Sequence, residues 1–184
     1  MYVQRRNNDA YWGSPYHYNN GWSCPFNNAP YYRYPIINPY DCRNNAPIYR
    51  LQDYGPNPFV VNIDEITKQN SNYRTTLWTG DHLQITLMSI RAGGDIGLEM
   101  HDDVDQFIRI EQGQGLMRMG DTRDNLDFES YVYDDYAIVI PAGKWHNLIN
   151  TGSIPLKLYS IYAPPQHPHG TVHRTKEDAE EAHE

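Results

Sequence analysis

From residue 83 onward the chain is a series of short apolar runs cut by turn signals, and that rhythm limits the fold more than any other feature of the sequence. The runs are Leu83 to Ile90, Ile96 to His101, Gln106 to Glu111, Leu116 to Met119, Phe128 to Tyr133, Ala137 to Ile140, Trp145 to Ile149 and Leu156 to Ala163. Each is rich in Val, Ile, Leu, Tyr or Met and has an ordinary strand length. Between them stand turn formers: Ala92-Gly93-Gly94-Asp95, Gly113-Gln114-Gly115, Gly120-Asp121, Pro141-Ala142-Gly143-Lys144 and Thr151-Gly152-Ser153. Many short strands at this spacing predict an all-β sandwich or small barrel rather than alternating strands and helices. Two short flanking helices are expected. One starts at Asn62-Ile63-Asp64-Glu65, a capping Asn three residues before a Glu, and ends near Asn70; the other opens at Thr175-Lys176-Glu177-Asp178.

Residues 1 to 55 have another texture, with ten of the 16 Tyr, nine Asn, six Pro, no Lys and no apolar repeat. They read as a low-complexity arm, and residues 56 to 184 as the folded domain. The arm carries five Arg against three acids, so the net charge of -8 divides into +2 for the arm and -10 for the domain. With no Lys/Arg-rich run, binding along nucleic acid or an anionic membrane is disfavoured. The N-terminus has no apolar signal region, and the longest apolar stretch, Tyr136 to Ala142, is far short of the roughly 20 residues of a membrane helix. A cytoplasmic location is expected. Cys24 and Cys42 both lie in the arm, as one disulfide or two free thiols.

Two segments carry chemistry: Gly94-x4-Glu99-x-His101-x4-Gln106-x6-Gly113, and Pro141-x-Gly143-x2-His146-x3-Asn150. Residues i and i+2 of a strand face one side, so Glu99 and His101 can reach toward one ion. A tight turn at residues 102 to 105 would send the chain back antiparallel with Gln106 facing them, and His146 would join from the second segment. Two imidazoles, one carboxylate and one amide oxygen make a first shell for a first-row divalent metal such as Mn, Fe, Zn or Ni. Gln106 is either a direct ligand or a hydrogen-bonding neighbour of the ligands.

These motifs resemble those of the cupins, whose usual patterns are G-x5-H-x-H-x3,4-E-x6-G and G-x5-P-x-G-x2-H-x3-N. His101, Gly113, Pro141, Gly143, His146 and Asn150 match; Glu99 stands where the first His belongs, Gln106 where the Glu belongs and Asp135 where the second motif opens with Gly. Gly93, not Gly94, has the spacing of the first Gly. Trp78-Thr79-Gly80, Leu83 to Ile90, Asp105-Gln106-Phe107 and Tyr159 to Pro165 further resemble small single-domain cupins described as similar to mannose-6-phosphate isomerase. The resemblance implies a jelly-roll (double-stranded β-helix) barrel from about residue 59 to 178 holding one divalent metal ion.

Three functions stay open on this reading. The resemblance implies an isomerase or epimerase acting on a small molecule such as a sugar. A sugar phosphate needs a cation in the pocket, however, and the alternation that turns Gln106 inward turns Arg109 outward. A two-His, one-carboxylate set also suits an Fe(II) dioxygenase. The third reading is a non-catalytic binding or structural protein, since the arm is compositionally similar to segments of bacterial spore-coat proteins, which would place the chain in the spore coat. Tyr162 is the candidate catalytic proton donor or acceptor, or else a core tyrosine. His167, His169 and His173 read as an extended tail rather than a second metal site. Edge strands of such a barrel need covering, so a homodimer with the arm contributing is expected.

Overall fold

The computed structural model describes residues 48–182; most of the arm, with Cys24 and Cys42, lies outside them. Helix α1 (Ile63–Gln69) begins where Asn62 accepts the Glu65 amide on its side chain at 3.3 Å, and stops at Asn70, whose backbone turns extended. Nine strands follow, β1 (Arg74–Thr79), β2 (Gln84–Ile90), β3 (Asp105–Gln112), β4 (Gln114–Gly120), β5 (Phe128–Tyr133), β6 (Ala137–Ile140), β7 (Trp145–Asn150), β8 (Leu156–Ala163) and β9 (Val172–His173). Helix α2 (Lys176–Glu181) closes the described chain behind a capping box between Thr175 and Asp178.

The strands form two antiparallel sheets, one ordered β6-β3-β8-β2-β1-β9 and the other β5-β4-β7. Alternation in the large sheet sends Met88, Ile108, Ile110, Leu156 and Leu158 into one core with Met117, Val132 and Leu148 of the small sheet. This is the expected all-β cupin barrel. The opposite face of the large sheet is also covered, because Leu77, Leu87, Ile85 and Tyr159 pack beneath Ile66 of α1. Burying one such Leu contributes about 2 kcal/mol. Gly113 makes the β3 to β4 turn at φ +96, where an added Cβ would stand 3.2 Å from the Leu156 Cα.

Three features differ from the sequence reading. Strand β1 was not expected, since Arg74-Thr75-Thr76-Leu77 is buried on both faces and shows no alternation of polarity. Residues 96 to 101 form no continuous strand and do not pair with β3; they lie along β7 in isolated bridges, Asp95 opposite Ile149 and Glu99 opposite His146. Strand β3 instead pairs with β6 and β8. Finally, residues 48–55, grouped by composition with the arm, pack on the domain: Tyr49 is buried and donates its hydroxyl to Glu65 at 2.7 Å, and Leu51 and Tyr54 join the cluster beneath α1.

Candidate metal centre

Strand β7 is the foundation of the site. Glu99 donates its backbone N–H to the His146 carbonyl at 3.1 Å, and His146 donates its own to the Glu99 carbonyl at 2.9 Å. This mutual pair puts both side chains on one face. Two residues on, the His101 carbonyl accepts the Gly143 N–H at 2.7 Å, so the Pro141-x-Gly143 bend anchors the chain that carries Glu99 and His101. The bend, rather than a hairpin into β3, is what aims His101. Gly143 sits at φ +79, a conformation that favours glycine.

The ligand atoms of Glu99, His101 and His146 all lie within 4.8 Å of one another. Glu99 Oε1 is 3.7 Å from His101 Nε2 and 3.4 Å from His146 Nε2, too long for good hydrogen bonds and short enough for one ion between them. Both Nε2 atoms are buried without a hydrogen-bond partner. His146 Nδ1 stands 2.9 Å from the Lys144 carbonyl, which selects the tautomer with its proton on Nδ1 and leaves the Nε2 lone pair for a ligand. Such orphaned atoms cost energy in an apolar barrel unless something occupies the space between them. Burial pushes the Glu99 carboxyl up, but the two imidazoles beside it and the charge of Arg74 outweigh this and hold it below the ordinary carboxylate range. The donor set therefore suits a divalent cation: one ionised carboxylate and two imidazole nitrogens.

Gln106 points inward and is buried, as alternation requires. Its Nε2 donates to Tyr162 Oη at 3.1 Å and to Ser160 Oγ at 3.3 Å, which leaves Oε1 without a partner. Tyr162 is fully buried, and its ring meets the His101 ring edge-on at 5.9 Å. Burial pushes the Tyr162 phenol up; Arg74 opposes this and Glu99 adds to it, with a net rise. Tyr162 is thus held as a neutral phenol beside the two-His, one-carboxylate group.

Arg109 faces outward as expected, 3.1 Å from Glu111 and also paired with Asp135. Arg74 is a cation buried on the core face of β1, and sequence reasoning missed it along with the strand that carries it. Asn150, matched in the second motif, is a clamp: its Nδ2 donates to the Ile90 and Ile154 carbonyls at 2.9 and 2.8 Å and its Oδ1 accepts the Gly152 N–H. The tail histidines are dispersed. His167 exchanges backbone hydrogen bonds with the Gln84 amide, His169 is exposed 3.4 Å from Asp53, and His173 lies on β9. Among the described residues, no helix is long and apolar enough to cross a membrane.

Over residues 86–162 the chain matches the Cupin domain family, Cupin_2. It is similar to the uncharacterized protein YrkC of Bacillus subtilis (strain 168), 67% identical over 129 residues that span 70% of this chain and 69% of that one. The uncharacterized protein L612 of Acanthamoeba polyphaga mimivirus is 43% identical over 115 residues, 62% of this chain and 70% of that one. A crystal structure of BH2720 from Bacillus halodurans shares the fold at a TM-score of 0.70 and 65% identity, covering 71% of this chain and 98% of that one.

Proposed function

This chain belongs to the cupin family, and on that footing we propose that it is a small-molecule metalloenzyme in which Glu99, His101 and His146 hold one divalent metal ion. The observation that carries the reading is the convergence of two partnerless Nε2 atoms on the Glu99 carboxylate within the barrel. A bound divalent ion would supply Lewis acidity and, with three protein ligands, keep coordination positions open to small molecules. Gln106 either adds its Oε1 to the set or fixes a ligand beside it.

Between the two chemistries expected from the sequence, the dioxygenase receives more support. An isomerase must take a proton from carbon, which calls for a base whose pKa lies near the working pH. Tyr162 is kept protonated by burial, and the Glu99 carboxylate is taken up as a metal ligand on this reading. The two-His, one-carboxylate set with open positions is instead the donor pattern of non-haem Fe(II) oxygenases. In this role Tyr162 donates a hydrogen bond rather than accepting a proton, and the barrel wall of Met88, Ile108 and Ile140 excludes water. Anaerobic loading with Fe(II), followed by nitric oxide and electron paramagnetic resonance, tests the reading. A high-spin iron–nitrosyl signal that disappears in His146→Ala is expected; no signal from iron-loaded wild-type protein contradicts it.

We further propose a homodimer, supported by the exposed apolar side chains Tyr131, Tyr133 and Val139 on the edge strands β5 and β6.

A further inference from the structure

Arg74 is the first residue of β1. Its register partner on β2 is Met88, which is in turn opposite Leu158 on β8, and Leu158 opposite Ile110 on β3. Met88, Leu158 and Ile110 all point into the barrel core, so Arg74 enters that core from the same face. It is 2% exposed. Its guanidinium carbon lies 5.6 Å from the centroid of Tyr73, a core ring tied by its hydroxyl to the Ile96 carbonyl at 2.8 Å. The Nε has no hydrogen-bond partner, and Arg74 forms no ion pair among the described residues. The guanidinium thus stands over a ring tied to the start of the segment that carries Glu99 and His101.

A buried guanidinium that no carboxylate pairs at contact distance is costly, and a ligand that pairs it offsets that cost. This inference rests on the metal reading above. A divalent ion joined to one guanidinium and one carboxylate leaves two positive charges uncompensated in a low-dielectric interior. Thr86 Oγ1, on the strand beside Arg74, lacks a partner as well. A planar guanidinium fork matches a carboxylate in two parallel hydrogen bonds. One of those charges sits on the guanidinium and is answered by a single carboxylate; the other sits on the metal and is left to the far end of the ligand.

We propose that Arg74 is the anion-recognition residue of this barrel, and that the ligand taken beside the metal is a small carboxylate. Arg74 binds the carboxylate through its guanidinium while the far end of the molecule reaches the Glu99, His101 and His146 group. Neutral sugars and polyols leave Arg74 unpaired and bind poorly.

Calorimetric titration with glycolate as the probe and ethylene glycol as its uncharged counterpart tests this, on full-length protein in metal-free and Mn(II)-loaded forms. Mn(II) binding is measured first and separately, so that loss of the metal reading is visible by itself. Glycolate is expected to bind wild-type protein at least about tenfold more tightly than Arg74→Gln in either form, with Arg74→Lys between them. Mn(II) affinity should be kept or raised in Arg74→Gln, since a buried positive charge is removed. Equal glycolate affinity in wild type and Arg74→Gln, in both forms, overturns the assignment, as does ethylene glycol or inorganic phosphate binding wild type as tightly as glycolate. Should Arg74→Gln fail to fold, the comparison of the three probes on wild type and Arg74→Lys decides the matter alone.

Discussion

Glu99 and His146 exchange both backbone hydrogen bonds across one antiparallel bridge, so the carboxylate and the imidazole leave neighbouring chains on the same face. That pairing, and not the i, i+2 spacing of Glu99 and His101 alone, sets the distance of 3.4 Å between Glu99 Oε1 and His146 Nε2. The site is therefore as rigid as β7, which is itself paired along its length with β4.

Replacing Gln106 by Glu should tighten metal binding. The Gln106 Oε1 is buried without a partner, and a second carboxylate adds attraction for a cation in a medium of low dielectric. Tyr162 and Ser160, which now accept from the Gln106 amide, can rotate their hydroxyl protons to donate instead. The expected gain in Mn(II) affinity is about tenfold or more, read by competition with a chelator. A weaker affinity would place Gln106 outside the metal's reach.

Asp53 gives the domain an acid limit. Its carboxylate accepts hydrogen bonds from Thr79 Oγ1 at 2.6 Å, Thr79 N at 3.0 Å, Gly55 N at 2.9 Å and Gly170 N at 3.1 Å, which ties three segments together. Burial pushes this carboxyl up, but those hydrogen bonds outweigh it and hold it below its ordinary value of 3.8. A depressed folded value means that the stabilisation is complete above the ordinary pKa and is lost as pH falls through the folded one. Asp53→Asn should thus cost about 2 kcal/mol near neutral pH, and the gap to wild type should close below about pH 4. Urea unfolding across pH reads this; a gap that persists undiminished into acid contradicts it.

Truncation separates the arm from the domain. Removing residues 1 to 47 should leave the thermal midpoint within about 3 °C of the full chain, whereas removing residues 1 to 55 deletes Tyr49, Leu51, Asp53 and Tyr54 and should lower it by about 10 °C or more. Equal midpoints for the two truncations would show that the packing of residues 48–55 is energetically idle. Light scattering on the shorter truncation also tests the proposed dimer: a dimer mass assigns pairing to the barrel, a monomer mass refutes barrel pairing.

The barrel was legible because its core strands alternate or run apolar between glycine turns; Phe128–Tyr133, Ala137–Ile140 and Leu156–Ala163 are found where the pattern puts them. Both helices were legible from their caps, Asn62 and Thr175. The Pro141 to Asn150 motif was readable because a positive-φ glycine, a ligand and a clamp recur there at fixed spacing. Strand β1 was hidden, since Thr75 and Thr76 are buried and polar, and Thr76 is satisfied by the Thr171 carbonyl, a partner 95 residues along the chain that no local window contains. Arg74 was lost with it. The expected hairpin between residues 99 and 106 failed because short-range turn signals say where a chain reverses but not which strand receives it; Glu99 was taken by β7, 47 residues further along the chain.

Metal content decides the central claim most directly. Wild-type protein, His101→Ala, His146→Ala and Glu99→Gln are dialysed to equilibrium against Fe(II) without oxygen, or against Mn(II), and analysed by plasma mass spectrometry, with circular dichroism to confirm folding. The account predicts about one ion per chain for wild type and less than about a tenth of that for each folded variant. Wild-type stoichiometry retained in the two histidine variants would contradict it.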